Sequence, residues 1–249
     1  MCTYAYEHIY IYALTCLQLY VLQAVQVVLA ASPPHKPGSQ RDMKTIGVLA
    51  LQGAFIEHVD YLNQCIQKHD HNAEVIVVKT PEELIKCDSL VIPGGESTSM
   101  SLIAQRTGLF PHLHEFVHNP TKSIWGTCAG LIFLSQQLGN EAELVKTLDL
   151  LSVRVQRNAF GRQAQSFTKP CDFSGFIPEC ADFPTVFIRA PVIQQILDKE
   201  KVEVLYSLQN KDQELIVAVR QGNILATSFH PELADDIRFH DWFIREFVI

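Results

Sequence analysis

The sequence predicts an α/β fold built on a mostly parallel central sheet with helices on both faces. From residue 44 onward, short apolar runs alternate with segments whose apolar residues recur at helical spacing. Some runs are nearly continuous, as in residues 45–51, which is typical of strands buried on both faces. Strands that alternate with helices in this way usually form one parallel sheet with right-handed crossovers.

The individual elements can be assigned in chain order. The first helix is indicated by apolar residues at positions 55, 59, 62 and 66, and Thr80 followed by Pro81 is typical of a capped helix start. In the first half, the predicted strands are residues 45–51, 74–78, 90–92 and 123–125, and the predicted helices begin near residues 55, 81, 99 and 131. In the second half, the predicted strands are 150–155, 185–188, 202–208, 214–219 and 224–229, with a hairpin turn at 221–223 and a closing helix at 237–247.

Composition is that of a globular protein with a large core. The chain has 249 residues, of which 47% are hydrophobic and 19% charged. Its formal net charge is −7 and it has no dense basic stripe, so we expect no nucleic-acid partner. The 7 cysteines show no C-x-x-C spacing, which argues against a disulfide framework and a zinc site and favours a reducing, cytoplasmic location.

The first 42 residues differ from the rest of the chain. Residues 9–31 carry no charge and are long enough to cross a bilayer, but the positively charged start of a signal peptide is missing and glutamines interrupt the run. Residues 32–42, rich in proline, are typical of a linker. We therefore predict an extension at 1–42, either disordered or the result of a misassigned start before Met43, and a folded domain at 43–249. A membrane anchor is the less favoured alternative.

The segment Gly126-Thr127-Cys128-Ala129-Gly130 predicts a reactive cysteine. It lies between two apolar runs, and this pattern predicts a strand, a sharp turn that carries the cysteine, and a helix. Small residues on both sides suit a strained turn at which strand and helix pack closely. Amide dipoles at the start of the helix favour the thiolate, the nucleophilic form. The alternative is a buried structural cysteine, which is common in protein cores.

Four predicted strand ends carry unusual residues that we expect to meet at one edge of the sheet. In an open parallel sheet, ligands bind beyond the carboxyl ends of the strands. These ends hold Gln52 and Gly53, then Gly94 to Ser97, then Cys128, and finally His230 to Glu232. The chain has 10 histidines, but only His230 follows a buried strand at this edge. His58 and His240 lie on the first and last helices, where surface or packing roles are expected.

A thiol nucleophile needs a base within hydrogen-bonding reach, and the base needs a group that orients it. His230 fits the first role, and Glu232, two residues later, fits the second. Gly94-Gly95 lets backbone amides approach a ligand, but neither G-x-G-x-x-G nor G-K-[ST] is present, so nucleotide binding is weakly supported. The amides of Gly95 and Ala129 instead suit an oxyanion hole. Together these groups predict acyl transfer from an amide or ester.

Six motifs together resemble one protein family. They are GVLALQG at 47–53, PGGEST at 93–98, GTCAG at 126–130, RNAFGRQ at 157–163, FIRAP at 187–191 and SFHPE at 228–232. Residues 44–249 thereby resemble the class I, triad-type glutamine amidotransferases, whose fold is flavodoxin-like. Within that class, the second, fourth and fifth motifs resemble the SNO/PdxT family, the glutaminase subunits of pyridoxal 5′-phosphate synthase.

The resemblance implies hydrolysis of L-glutamine to L-glutamate and ammonia, with Cys128 as nucleophile, His230 as acid and base, and Glu232 as its partner. It also implies that glutamine is held by Gly95, Glu96, Ser97, Arg157, Ile188 and Arg189. The implied partner is the synthase subunit, which uses the ammonia to build the vitamin B6 cofactor, and Gln52 is a candidate link between the two. The resemblance implies neither a bound cofactor nor a metal.

Two other functions remain open at this point. One is a cysteine-dependent peptidase or esterase built on the same turn. The other is a non-catalytic scaffold subunit that retains the fold. The presence of all three residues of the predicted triad argues against the scaffold.

Overall fold

The computed structural model describes residues 43–139, 144–157, 166–210 and 213–249. All of these lie in the unit Asp42–Ile249. The predicted extension at residues 1–42 lies outside the described residues, as do residues 158–163 of the fourth motif. The division of the chain at residue 42 therefore stays a prediction.

Twelve strands are present in the described residues. They are β1 (Lys44–Leu49), β2 (Ala73–Val78), β3 (Ser89–Ile92), β4 (Ser123–Thr127), β5 (Ser135–Leu138), β6 (Leu151–Gln156), β7 (Ser166–Cys171), β8 (Phe183–Ile188), β9 (Val192–Ile196), β10 (Glu203–Asn210), β11 (Gln213–Gln221) and β12 (Ile224–Thr227).

The helices of the described ranges connect and cover these strands. They are α1 (Phe55–His69), α2 (Pro81–Leu84), α3 (Ser97–Arg106), α4 (Leu109–Val117), α5 (Ala129–Leu134) and α6 (Arg238–Phe243). A 3₁₀ turn covers Pro231–Leu233, and a π-helical turn over Ile244–Val248 continues α6.

The main sheet has a parallel half and a mixed half. Strands β2, β1, β3, β4 and β12 lie side by side in that order, and all of their pairings are parallel. Beyond β12 the sheet continues through antiparallel pairings to β11, β9 and β6, while β10 pairs with β11 and β5 pairs in parallel with β6. Strands β7 and β8 form a separate antiparallel pair. The predicted α/β fold with a mostly parallel central sheet is confirmed.

Successive side chains of the central strands point to opposite faces of the sheet and pack into two apolar layers. In β4, Ile124 packs with one layer and Trp125 with the other, as the two-residue period of a strand requires. Helices α3, α4 and α5 cover the first layer, and helices α1 and α6 cover the second. Helices therefore lie on both faces, which explains why these strands are apolar along their whole length.

Local sequence signals determine several element boundaries. Helix α2 begins with a capping box, in which the Thr80 hydroxyl accepts a hydrogen bond from Glu83 N while the Glu83 side chain accepts one from Thr80 N. Between β11 and β12, Gly222 adopts a φ of 58°, which a tight hairpin turn requires and glycine permits. The capped start of α2 at Thr80 and the hairpin turn at 221–223 were predicted, whereas the return bond to the Glu83 side chain was not.

Three strands, one helix and several boundaries differ from the prediction. Helix α4 (Leu109–Val117) was not predicted. Strands β5, β7 and β9 were not predicted, because they are short, partly polar and, in β7, contain a proline. The strand predicted at 224–229 ends at Thr227. Beyond this point Ser228 N still donates to Val217 O of β11, whereas His230 N donates to Val186 O of β8, outside the main sheet.

Candidate active site

The carboxyl ends of β1, β3, β4 and β12 lie next to one another along the parallel half of the sheet. The chain turns at these four ends carry Gln52, Gly95, Cys128 and His230 respectively. This matches the edge at which open parallel sheets bind ligands. Residues that are up to 178 positions apart in sequence, Gln52 and His230, are therefore brought to one edge by strand order alone.

The turn that carries Cys128 is strained and closely packed. Cys128 has a φ of 48° and a ψ of −99°, and its amide donates to Thr227 O at 2.8 Å, so β12 holds the turn in place. A Cβ atom on Gly126 would lie 2.7 Å from the Gly130 carbonyl carbon, and one on Gly130 would lie 2.1 Å from Ile92 O. The two glycines are thus required by close contact, as the sequence pattern predicts.

His230 and Glu232 form a buried pair beside the cysteine. His230 Nδ1 lies 2.7 Å from Glu232 Oε1, and Glu232 is only 2% exposed. Gly94 lies against both His230 and Cys128. A Cβ atom on Gly94 would lie 2.3 Å from His230 Cε1 and 3.4 Å from Cys128 Cβ. The imidazole and the thiol therefore border the same glycine.

The protonation of this pair is set by opposing effects. Burial disfavours the imidazolium, but hydrogen bonds with Cys128 and Glu232 outweigh burial and raise the pKa of His230 to about 10. Burial also disfavours the charged form of Glu232, and its contacts with His58 and His230 nevertheless lower the pKa of its carboxyl group. Because folding raises its pKa, His230 stabilises the fold fully below about pH 6.5, and this stabilisation is lost as the pH rises through about 10.

Two further histidines extend the pair into the core. His58 Nε2, on α1, lies 3.3 Å from Glu232 Oε2 and 3.3 Å from Thr127 Oγ1. His58 Nδ1 lies 2.9 Å from Nε2 of His240, on α6. Both imidazoles are completely buried, and burial lowers the pKa of each to about 3. These residues were predicted to have surface or packing roles, but the fold places His58 in contact with Glu232 of the predicted triad and His240 in contact with His58.

The low pKa values of His58 and His240 make the fold sensitive to acid. Below about pH 6.5 the unfolded chain binds protons at these histidines, whereas the folded chain excludes them until about pH 3, so stability falls as the pH decreases through this window. We expect His240→Phe to reduce this loss between pH 6 and pH 5 by up to about 1.4 kcal/mol, measured by urea unfolding. The exposed His112, replaced by glutamine, serves as the control. Equal slopes for His240→Phe and the unchanged protein would contradict the expectation.

A cavity of about 280 Å³ opens at this edge. It contains Cys128 and His230 together with every residue predicted to hold glutamine, and also Ile132, which was not predicted. The full lining is Gly95, Glu96, Ser97, Cys128, Ile132, Arg157, Ile188, Arg189 and His230. A larger concavity of about 650 Å³ lies along α1 and residues 235–238, but it contains neither a cysteine nor a histidine.

Polar residues of the cavity are held by one another. Arg157 Nη1 donates to Ser97 Oγ at 3.3 Å and to Thr98 Oγ1 at 3.2 Å, which fixes the guanidinium above the start of α3. Glu96 caps α3, because its carboxylate accepts hydrogen bonds from Thr98 N and Ser99 N at 3.0 and 2.7 Å. Burial opposes ionisation of Glu96, but these hydrogen bonds lower its pKa to about 2, so it is a fixed negative charge.

Two residues at the cavity edge have unusual conformations or contacts. Arg189 directly follows β8 and adopts a φ of 42°, which is unfavourable for a residue with a Cβ atom. Gln52 Oε1 accepts a hydrogen bond from Glu96 N at 3.0 Å. A Cβ on Gly95 would lie 2.5 Å from the Gln52 side-chain amide, so Gln52 packs directly against the glycine predicted to form the oxyanion hole.

Within the described ranges, His, Cys, Asp and Glu side chains form no group of three or more suited to holding a metal ion. Among the helices of the same ranges, none combines the length and the apolar character that crossing a lipid bilayer requires.

The fold is that of a glutamine amidotransferase. A solved structure described as a glutamine amidotransferase superposes with a TM-score of 0.67 and 38% identity over 80% of this chain and 97% of that one. Residues 48–249 match the SNO glutamine amidotransferase family, and the chain belongs to that family. The predicted resemblance is therefore confirmed.

Two relatives illustrate the range of the family. Pyridoxal 5′-phosphate synthase subunit SNO1 of Saccharomyces cerevisiae is 65% identical over 86% of this chain and 97% of its own length. Pyridoxal 5′-phosphate synthase subunit PdxT of Dehalococcoides mccartyi is 44% identical over 80% of this chain and 95% of its own length.

Proposed function

We propose that this protein hydrolyses L-glutamine to L-glutamate and ammonia through a thioester on Cys128, and that the ammonia passes to a synthase subunit that makes pyridoxal 5′-phosphate. The observation that carries the proposal is the cavity of about 280 Å³ in which Cys128 and His230 meet two arginines. Membership of the family and the names of the relatives support the choice of glutamine and of the synthase partner.

The first half of the reaction forms the thioester. With its raised pKa, His230 holds the thiol proton as an imidazolium, and Cys128 Sγ attacks the carboxamide carbon of glutamine as the thiolate. The oxyanion that forms accepts hydrogen bonds from the amides of Gly95 and Ala129. When the C–N bond breaks, His230 returns its proton to the leaving nitrogen, and ammonia departs.

The second half of the reaction regenerates the enzyme. His230 takes a proton from water, and the resulting hydroxide attacks the thioester carbon. The C–S bond breaks, Cys128 recovers the proton and glutamate leaves. Throughout, Glu232 Oε1 accepts a hydrogen bond from His230 Nδ1 at 2.7 Å, so Nε2 is the nitrogen that exchanges protons.

Recognition of glutamine requires groups for both of its α-substituents. Arg157 and Arg189 supply positive charge for the α-carboxylate, and the ionised Glu96 supplies negative charge for the α-ammonium. Ser97 Oγ and Ile188 complete the lining. A generic peptide lacks the free α-groups that these charges would pair with, which favours glutamine over a peptidase substrate.

Coupling to the partner is assigned to the segment around Gln52. Its side chain packs against Gly95 and holds Glu96 N, so a partner that moves residues 51–53 would also move an oxyanion donor. We infer that the protein works as part of a hetero-oligomer with the synthase in the cytoplasm. No metal or cofactor takes part in the steps above.

The proposal is tested by a glutaminase assay with and without the synthase subunit. We expect slow release of glutamate by the full-length chain alone and a rate at least about ten times higher with the synthase, because docking completes the oxyanion hole. Equal rates in the two conditions would contradict the coupling. No glutamate in either condition, with turnover of a generic peptide or ester, would overturn the function in favour of a cysteine peptidase or esterase.

A scaffold without activity is distinguished by chemistry at the cysteine. A glutamine analogue that alkylates thiols is expected to label Cys128 with a single mass increment. A chain that neither releases glutamate nor reacts with the analogue would be a non-catalytic subunit.

A further inference from the structure

The second oxygen of the Glu232 carboxylate lacks a regular hydrogen bond. Oε1 pairs with His230, whereas Oε2 is buried and, across the residues that the structure describes, makes no hydrogen bond of good geometry. An ionised oxygen in this position is costly unless a donor faces it. His58 Nε2 lies 3.3 Å from Oε2, which is close enough for a small rotation of the ring to complete the bond.

The protonation of His58 follows from its three polar neighbours, Glu232, His240 and Thr127. Thr127 Oγ1 lies 3.3 Å from His58 Nε2 and, as a hydroxyl, can either donate or accept, so the carboxylate and His240 decide the tautomer. If Nδ1 carried the proton, Nε2 would direct a lone pair at the carboxylate, which is repulsive. If Nε2 carries the proton, it faces Glu232 Oε2, and Nδ1 accepts a hydrogen bond from His240 Nε2 at 2.9 Å. The second arrangement leaves His240 Nδ1 as an unprotonated acceptor, which fits its lack of a partner among the described residues. We therefore assign this tautomer.

We propose that His58 is a positioning residue that donates its Nε2–H to Glu232 Oε2 and holds the carboxylate against His230, while His240 fixes the tautomer of His58. The row Cys128, His230, Glu232, His58 and His240 then runs from the cavity into the core between α1 and α6. This inference rests on the proposed glutaminase function.

Burial explains why a histidine serves here better than a cation. Both imidazoles are completely buried, and burial lowers the pKa of His58 to about 3, so it stays neutral at physiological pH. A neutral donor orients the carboxylate without neutralising its charge. Glu232 therefore remains the negative partner of the His230 imidazolium.

The test compares two substitutions that differ in one donor. In His58→Gln the side-chain amide reaches about as far as Nε2, whereas in His58→Leu no donor remains. We expect His58→Leu to lower kcat about 10- to 100-fold with KM changed less than about 2-fold, and His58→Gln to restore kcat to within about 5-fold of the unchanged protein. Both are measured on the full-length chain with the synthase present.

A matched control separates positioning from stability. His71 also pairs with a largely buried carboxylate of α6, because His71 Nε2 lies 2.7 Å from Asp241 Oδ1, but it does not line the cavity. We expect His71→Leu to lower the melting temperature as His58→Leu does, and to leave kcat within about 2-fold. Should His58→Leu fail to fold, His58→Asn replaces it, because its shorter amide reaches the place of Nδ1 and not that of Nε2.

A double-mutant cycle tests whether His58 acts through Glu232. If it does, His58→Leu changes kcat less than about 2-fold when Glu232 is already alanine. An equal loss in both backgrounds, a kcat of His58→Leu within 2-fold of the unchanged protein, or equal losses for leucine and glutamine would each overturn the proposal. Failure of the glutaminase proposal is distinct, because the unchanged protein would then be inactive.

Discussion

Replacing Cys128 with alanine is expected to abolish glutamine hydrolysis and to leave the fold intact. The thiol forms the bond to the substrate, so its loss removes the covalent route rather than weakening it, and we expect kcat to fall at least about 10⁴-fold. The side chain is small and lies at the cavity, so little packing is lost when Sγ is removed. Glutamate release with the synthase present, the melting temperature and co-elution with the synthase are the three measurements.

Cys87 provides the matched control for this experiment. It lies two residues before Ser89, the first residue of β3, at the end of the sheet opposite to Cys128, and it is completely buried. Burial raises the pKa of its thiol to about 12, so it is a poor nucleophile at neutral pH. We expect Cys87→Ala to keep full kcat. A Cys128→Ala protein that retained more than about 1% of the activity would refute the assignment of the nucleophile.

Replacing Gly130 with alanine is expected to destabilise the protein by at least about 3 kcal/mol. The new Cβ would lie 2.1 Å from Ile92 O and 3.0 Å from Ile92 C, and both are backbone atoms of β3. Relief requires α5 to move away from β3, which displaces Cys128 from the cavity. We therefore expect loss of glutaminase activity together with a fall in melting temperature of about 6 °C or more.

Gly175→Ala is the control for the effect of the substitution itself. No atom lies within 4 Å of a Cβ placed on Gly175, and its φ lies outside the left-handed region. Its melting temperature is expected to stay within about 2 °C of the unchanged protein. If the Gly130→Ala protein were as stable as the Gly175→Ala protein, the prediction would be wrong, because α5 could then move away from β3 without loss of stability.

Much of the site could be predicted because its residues follow strands. Buried parallel strands are recognisable as apolar runs, and their carboxyl ends share one edge, so the sequence alone predicts that Gly95, Cys128 and His230 lie together. The glycines at 126 and 130 carried a second signal, since close packing of strand and helix leaves room for no side chain. The roles of these residues stay predictions until the substitutions above are measured.

The histidines behind Glu232 could not be found in this way. His58 lies in a helix among polar neighbours, and its partners Glu232 and His240 are 174 and 182 positions away. A periodic pattern reports which face of a helix is buried, but it does not report what that face meets. The only available signal was that His58 shares the buried side of α1 with Leu62 and Cys65.

By itself, the sequence determined the α/β class, the parallel strands and the turn that presents Cys128, because each depends on neighbours close along the chain. The tertiary structure decided the strand order, the addition of β5, β7 and β9, and the row of imidazoles beneath the cavity. These depend on contacts between distant segments, where pairing with a neighbouring strand overrides weak local preference and burial changes the protonation of His58 and His240.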